Sequence, residues 1–340
     1  VSAPPPDGAP ASPCPVCASS KTAAFESYDD PVGGKSYVIY ECADCALVFA
    51  RPLLFPGAAW YGKYNYVCGY AETAAGAAKL RFPYFLDRLP EPGRILDVGC
   101  AGGAFLTLAA ERGFTAEGLD VDARFVKMAH DAGLAGVRQG VLDQDFARAN
   151  AGRYAAVAIM EVLEHVDDPL DFLRLNGLLL KPGGRLLVSV PDNRRPTPFG
   201  RDLWDYPPHH LTRWGPKSLR LALEKSGFAV EDMRSTPLPV VDFSRIWADR
   251  SAQWILRALK RVLYGRDAAA RPMDEILDSE ASAGRATALP EKTARVRLVF
   301  FYHAVFNFLT YPLFAVVLLY YRLTKPDTGH TLLAVARKAD

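Results

Sequence analysis

The chain has 340 residues, half of them hydrophobic, and a formal net charge of +2. That length holds one large domain or two to three smaller ones. The near balance of charge removes the reason to expect a nucleic-acid partner.

Residues 1–12 are small, polar and proline-rich, so a disordered tail is expected there. The first residues show no basic stretch followed by an apolar run, and a cytoplasmic, reducing setting is expected. Cys14 and Cys17, then Cys42 and Cys45, form two Cys-x-x-Cys pairs. Ser36 to Glu41, rich in β-branched and aromatic residues, reads as a hairpin strand between them. Four thiolates in two such pairs can close a tetrahedral zinc site over residues 13–55. A redox dithiol is the weaker reading, because no thioredoxin-like βαβ pattern surrounds either pair.

Residues 56–79 read as a linker. They include Tyr61, Tyr64, Tyr66 and Tyr70, whose rings would weld the cysteine module to the main domain. Ala74 to Leu89 has helical spacing and is stopped by Pro90 and Pro92. Arg94 to Leu106 then organises the rest of the chain. Ile95, Leu96 and Val98 make an apolar run without polar alternation, as a strand covered on both faces requires. The run stops at Gly99, and helical spacing resumes at Phe105. A strand, a glycine turn and a helix leave main-chain N–H groups open to a ligand. Thr115 to Leu119 is the next strand, ending in Asp120 and Asp122, about 20 residues after Asp97.

A helix over 123–132 and a short strand over 136–142 come next. Tyr154 to Met160 is a fourth strand, and Glu161, Glu164 and His165 lie directly after it, where doubly wound sheets bind ligands. A helix over 168–180 ends at Lys181-Pro182-Gly183-Gly184, and Arg185 to Val190 is the fifth strand. Residues 191–214 form a long irregular segment with Asp192, Asn193, Arg194, Arg195, Trp204, Tyr206, His209, His210 and Trp214, read as an acceptor-binding wall. His209 and His210 show no carboxylate at a recognisable spacing, so they are not read as a metal pair. A helix over 216–226 leads to a sixth strand over 227–234, and Thr331 to Ala336 reads as a seventh.

With these segments in hand, the Asp97 to Gly103 turn, the Met160-Glu161-Val162-Leu163-Glu164-His165 run and the Lys181 to Pro191 stretch resemble the class I S-adenosylmethionine-dependent methyltransferases. The likeness is to the bacterial branch of ubiquinone-pathway and glycan-modifying enzymes. It implies an α/β fold: a doubly wound, seven-stranded Rossmann-like sheet over 80–236 and 329–340. It also implies S-adenosylmethionine as cofactor, held by Asp97, Gly99, Cys100, Ala101, Gly103, Asp120, Val121, Leu142 and Glu161, with Asp120 on the ribose. Acceptor activation falls to His165, His210 or Tyr64, and the 56–79 segment would close over the site. Ala101 stands where the family pattern has glycine, which is tolerable only if its φ is negative. The cysteine module likewise resembles the zinc ribbon of some sugar- and glycan-directed relatives.

Residues 237–328 interrupt the last two strands. Within them 244–266 reads as a basic amphipathic helix with tryptophans, suited to an anionic membrane surface. Residues 298–321 are uncharged and, as one helix, would extend about 36 Å. One crossing would strand the seventh strand on the far side, so attachment from one face is expected. The acceptor is then a glycan, a lipid-linked sugar or a quinone. The rival reading is a noncatalytic membrane adaptor on the same fold, supported by Ala101 alone.

Overall fold

A computed structural model describes residues 2–5, 11–30, 33–57, 60, 81–195, 201, 205–236 and 329–339, with short pieces at 315–316, 319–320 and 323–324. The chain divides into two compact units, one of residues 1–236 and 328–340, the other of residues 237–327. Tyr64, Cys68 and Trp204, most of the 56–79 linker, all of 244–266 and nearly all of 298–321 lie outside the described residues. Among the described residues, no helix is long and apolar enough to cross a membrane.

The first unit opens with strands β1 (Ser2–Ala3), β2 (Thr22–Asp29), β3 (Ser36–Cys42) and β4 (Val48–Arg51), all antiparallel. Residues 1–12 were expected to be disordered, but Ser2 and Ala3 pair with Tyr28 and Ser27. The backbone N–H of Ser12 also donates to Thr22 Oγ1 at 3.2 Å. An edge strand offers its unpaired N–H and C=O row to any neighbouring segment, and here a piece of the tail takes it.

The second sheet is built from β5 (Arg94–Val98), β6 (Thr115–Asp120), β7 (Val137–Gln139), β8 (Tyr154–Met160), β9 (Leu180–Pro191), and, after β10 (Thr212–Arg213), from β11 (Phe228–Ser235) and β12 (Thr331–Lys338). Its order is β11-β12-β9-β8-β5-β6-β7, parallel except for β12, which runs antiparallel to both neighbours. Helices α1 (Ala104–Glu111), α2 (Ala123–Asp131), α3 (Gln144–Ala149), α4 (Pro169–Leu179) and α5 (Pro216–Lys225) connect the strands. This is the doubly wound seven-stranded architecture expected. The expected turn at Lys181 to Gly184 sits inside β9. Leu180 already pairs with Tyr154, and the register shift before Ala156↔Arg185 absorbs the extra residues as a bulge.

The two faces of the sheet bury different sets of residues, because successive side chains of a strand point to opposite sides. Leu96, Val98, Val157 and Ile159 join Leu173, Leu179, Leu219 and Leu223 on one face. Ile95, Ala156 and Ala158 join Phe85, Phe105, Leu106 and Ala129 on the other. The first cluster runs on into Cys14, Leu47 and Phe49, so the cysteine module packs against the sheet domain rather than hanging from it. β10 completes the join by pairing with β4, Thr212 opposite Phe49 and Arg213 opposite Val48.

Candidate functional site

The crevice lies at the carboxyl ends of β5, β6 and β8. Gly99 leaves β5 at φ 77 and Gly103 caps α1 at φ 81. A Cβ on Gly99 would come within 2.5 Å of a Val162 methyl, and one on Gly103 within 2.2 Å of Leu134 Cδ1. At both positions a larger residue would be strained by the positive φ and would have to displace its neighbour. Between them Ala101 has φ 46, which overturns the expectation of a negative angle. In the same turn the Ala101 N–H donates to Asp120 Oδ2 at 2.8 Å and the Gly99 N–H to the Leu119 carbonyl at 2.7 Å. The left-handed conformation costs alanine about 1 kcal/mol relative to glycine.

Asp120 takes a second N–H, from Asp122, on Oδ1 at 2.9 Å. Burial still raises its carboxyl above the ordinary range. Asp97, 3% exposed, is raised further by burial and then by the Asp120 charge. Its Oδ1 is buried without a hydrogen-bond partner. A buried carboxylate oxygen with nothing to accept from is costly, and here it sits beside two glycines that admit a ligand to the main chain. A buried oxygen acceptor, a second carboxylate at the tip of β6 and a close-approach glycine turn are what an amino-acid-bearing nucleoside such as S-adenosylmethionine requires, so the residues fit it. Of the other expected contacts, Cys100 turns its sulfur inward against Gly118, and Leu142 packs on the core. Val121 offers a carbonyl, which accepts from Gln139 Nε2 at 3.2 Å. Asp143 is taken up as the N-cap of α3, accepting from the Phe146 N–H.

At the tip of β8, Glu161 is also left-handed, at φ 57. Its Oε1 accepts from Arg81 Nη1 at 2.6 Å and from Ser189 Oγ at 3.1 Å. Left-handed backbone at a non-glycine residue is sustained only where surrounding contacts fix it, and this pair of contacts fixes Glu161 at the mouth of the crevice. Leu163–His165 come next as a 3-10 turn. Glu164 is 1% exposed, its two oxygens lack hydrogen-bond partners, and burial, then the Glu161 charge, raises its carboxyl well above the ordinary range.

The 191–214 segment leaves and returns at one place, with Asp192 bridged to Trp214 and the Asn193 N–H on the Trp214 carbonyl at 2.8 Å. It lays His209 and His210 on the 3-10 turn, where the Leu211 N–H donates to the Glu164 carbonyl at 2.8 Å. His165 Nδ1 lies 2.5 Å from the His209 carbonyl, and a hydrogen bond there requires the Nδ1–H tautomer, leaving Nε2 to accept. Burial pushes His165 down to about 3 and His210 to about 4, with Asp205 working the other way on His210. Asp205 Oδ1 is 3.5 Å from His210 Nδ1, and Glu164 Oε1 is 3.9 Å from its Nε2. His165, His209 and His210 offer ligand atoms within 4.8 Å of one another, which would let them hold one ion. The sequence showed only the adjacent pair; the fold supplies the third imidazole and two carboxylates.

The other cluster is Cys14, Cys17, Cys42 and Cys45, again within 4.8 Å of one another. Cys14 and Cys45 sulfurs are 3.6 Å apart, Cys17 and Cys42 sulfurs 3.4 Å. Four thiolates on one zinc at about 2.3 Å stand about 3.8 Å apart, so the set needs only a slight expansion. The knuckles close alike, with Ala18 at φ 61 and Ala46 at φ 59. Cys14 is lowered to about 5 by the neighbouring Cys45, while Cys45 is raised by Cys14 and Cys17 by burial. One thiolate suppresses the next when no cation shares their charge.

Sequence reasoning missed Arg81, Asp205 and Arg213. Arg81 reaches Glu161 across the chain, while Asp205 reaches His210, and Arg213, on the two-residue strand β10, reaches the cysteine module, through a segment too irregular to carry a periodic signal. Several residues expected to bind ligands are structural instead. Trp214 is fully buried, and Tyr206 stacks on Tyr28 at 4.7 Å and donates to Glu26 Oε1 at 2.7 Å.

Residues 70–232 match the family model described as a methyltransferase domain. A ubiquinone biosynthesis O-methyltransferase from Xanthomonas axonopodis pv. citri is 40% identical over 125 residues, 35% of this chain and 52% of that protein. One from Bordetella avium is 39% identical over 110 residues, 31% of this chain and 45% of that protein. The chain spans about half the length of the curated relatives it matches. Among solved structures, a SAM dependent methyltransferase from Archaeoglobus fulgidus is 15% identical with a TM-score of 0.46, covering 81% of this chain and all of that one. The matched span begins before β5 and ends in β11, enclosing the whole crevice, and over it the chain carries a methyltransferase domain.

Proposed function

We propose that the whole chain is an enzyme that methylates an oxygen of an acceptor lodged between the tip of β8 and the 191–214 segment. The observation that carries this reading is the partnerless Asp97 oxygen beside the glycine turn, an acceptor that the donors of a bound aminoacyl-nucleoside would satisfy. S-adenosylmethionine brings the methyl group on a sulfonium, already a good leaving group, so the protein's work is alignment and exclusion of water. Asp120, fixed by the Ala101 and Asp122 N–H groups, would accept from the ribose hydroxyls. Gly99 to Gly103 would border the methionine end, with Asp97 taking a donor from it. Glu161, tied to Arg81, would hold the boundary between donor and acceptor.

His210 is the residue proposed to take the acceptor's proton. Its imidazole is neutral at physiological pH, and Asp205 on Nδ1 would stabilise the imidazolium once formed. His165, with one nitrogen committed to the His209 carbonyl, would position that loop. Tyr64 stays a candidate on the sequence alone, as does the closing role of 56–79. The four cysteines would bind zinc structurally, keeping β4 in place for β10.

The acceptor proposed is a glycan, a lipid-linked sugar or a quinone-like molecule at the cytoplasmic membrane face. What supports a membrane surface is the basic amphipathic pattern of 244–266, together with the exposed side chains of Val316, Leu319, Tyr320 and Leu323 at helical spacing in the second unit. The adaptor reading keeps only Ala101, and Ala101 still donates to Asp120. Incubating the full chain with methyl-labelled S-adenosylmethionine, a lipid extract and, separately, a pool of soluble sugar conjugates tests this reading. Label in an extracted lipid or glycan is the expected outcome. Label nowhere, with cofactor bound, would return the adaptor.

A further inference from the structure

The segment that returns from β9 to α5 carries more guanidinium charge than its carboxylates balance. Arg213 lies on β10, its side chain 6% exposed. Its Nε–H donates to the Asp205 carbonyl at 3.0 Å, and its plane lies over the Tyr206 ring, 4.9 Å from Cζ to the centroid. Nη1 and Nη2 are both buried without a hydrogen bond. Glu26 Oε2 is 3.9 Å from Nη1, outside hydrogen-bond reach, and the other Glu26 oxygen is occupied by Tyr206. Arg195 hydrogen-bonds Asp205 Oδ1, and Arg201 Nη1 is 4.0 Å from Oδ2. Among the described residues, the guanidinium groups of Arg195, Arg201 and Arg213 thus face Asp205 and Glu26, and Arg201 also donates to Asn193. Burial, then the Arg201 charge, lowers Arg213 to about 10. A dry, unsatisfied guanidinium is costly, and a planar fork with two open nitrogens is the geometry that takes a phosphate or carboxylate through parallel hydrogen bonds.

We propose that Nη1 and Nη2 of Arg213, backed by Arg195 and Arg201, form an oxyanion subsite that holds a phosphate or carboxylate group of the acceptor. Asp205 links this subsite to His210, since it faces both the guanidinium groups and the imidazole. That the anion belongs to a methyl acceptor rests on the proposed methyltransferase activity; the anion site itself does not. An acceptor without an anionic group would leave the fork unpaired, so a neutral quinol is disfavoured relative to a sugar phosphate, a lipid-linked phosphate or an acidic sugar.

The test uses the full-length protein, titrated calorimetrically with pyrophosphate, inorganic phosphate and acetate at fixed ionic strength, and separately with S-adenosylhomocysteine. Pyrophosphate should bind the wild type. Arg213→Lys, which keeps the charge and loses the fork, should bind it about tenfold more weakly. Glu26→Gln, which enlarges the charge surplus, should bind it more tightly. Both variants should bind S-adenosylhomocysteine as the wild type does. Tighter binding of phosphate than of acetate assigns a phosphoryl group, and the reverse a carboxyl group. The proposal is overturned if none of the three anions binds the wild type, or if Arg213→Lys binds them unchanged. Should Arg213→Lys not fold, the sign of the Glu26→Gln effect decides, and weaker binding overturns the proposal. Anion binding without nucleoside binding would sink the methyltransferase reading alone; nucleoside without anion would sink only the subsite.

Discussion

The cysteine module and the nucleotide crevice belong to one compact unit, yet they are held together in opposite ways. The crevice walls stand on strands such as Ile95 to Val98 and Ala156 to Ile159, buried on both faces, and the sheet needs nothing bound in order to exist. Its polar groups are left wanting: Asp97 Oδ1 and both Glu164 oxygens lack partners. In the module the backbone is short, three strands carry most of it, and four sulfurs stand within reach of one ion. One region leaves polar groups unsatisfied at its site, and the other gathers four thiols that one bound cation would tie together.

Stripping metal from the protein should break the comparison most visibly. Structural zinc in small modules contributes on the order of 10 kcal/mol to their folding. Chelation, or Cys42→Ser, should therefore raise amide hydrogen exchange across β2, β3, β4 and β10 while leaving β5 and β8 protected. Equal loss in both regions would show that the sheet domain does not stand by itself. Next in size, Asp120→Ala should weaken S-adenosylmethionine binding about 10- to 100-fold, the worth of hydrogen bonds to a charged group. A calorimetric titration reads this, and an unchanged affinity would place the ribose elsewhere.

Asp97→Asn sharpens the contrast through pH. The carboxyl's folded value lies above its unfolded one, so the protonated form favours folding, and the penalty of ionisation grows as pH rises toward the folded value. The variant, which cannot ionise, should be about 1–2 kcal/mol more stable than the wild type near neutrality. The advantage should vanish as pH falls to about 4, and cofactor affinity should drop. Thermal melts across that range check it; a constant difference would mean the carboxyl is not the cause. The smallest effect belongs to Ala101→Gly, which should relieve the left-handed strain and stabilise by about 0.5–1 kcal/mol with cofactor affinity unchanged. Destabilisation would mean the methyl group packs usefully.

These outcomes also mark how far the sequence could be read. The individual strands came from apolar runs with glycine stops and the four cysteines from their spacing, because both signals are local; the seven-stranded arrangement came from the family resemblance. Ala101 was misjudged for a local reason too: its methyl group suggested a negative φ, whereas the turn keeps the left-handed angle that the family's glycine would take. The three-histidine cluster, the Arg81–Glu161 pair and the Arg213 fork were illegible. Each joins segments far apart in the chain: Arg81 meets Glu161 across the sheet domain, and the histidines and Arg213 are placed by the segment that returns from Asp192 to Trp214. β1 was missed because pairing at a sheet edge asks almost nothing of the added residues.

The most direct test is a crystal structure of the full chain grown with S-adenosylhomocysteine. The account predicts the ribose hydroxyls within hydrogen-bond distance of Asp120 and the amino-acid end against Gly99 to Gly103. A nucleoside bound outside that crevice, or none bound at saturating concentration, would contradict it.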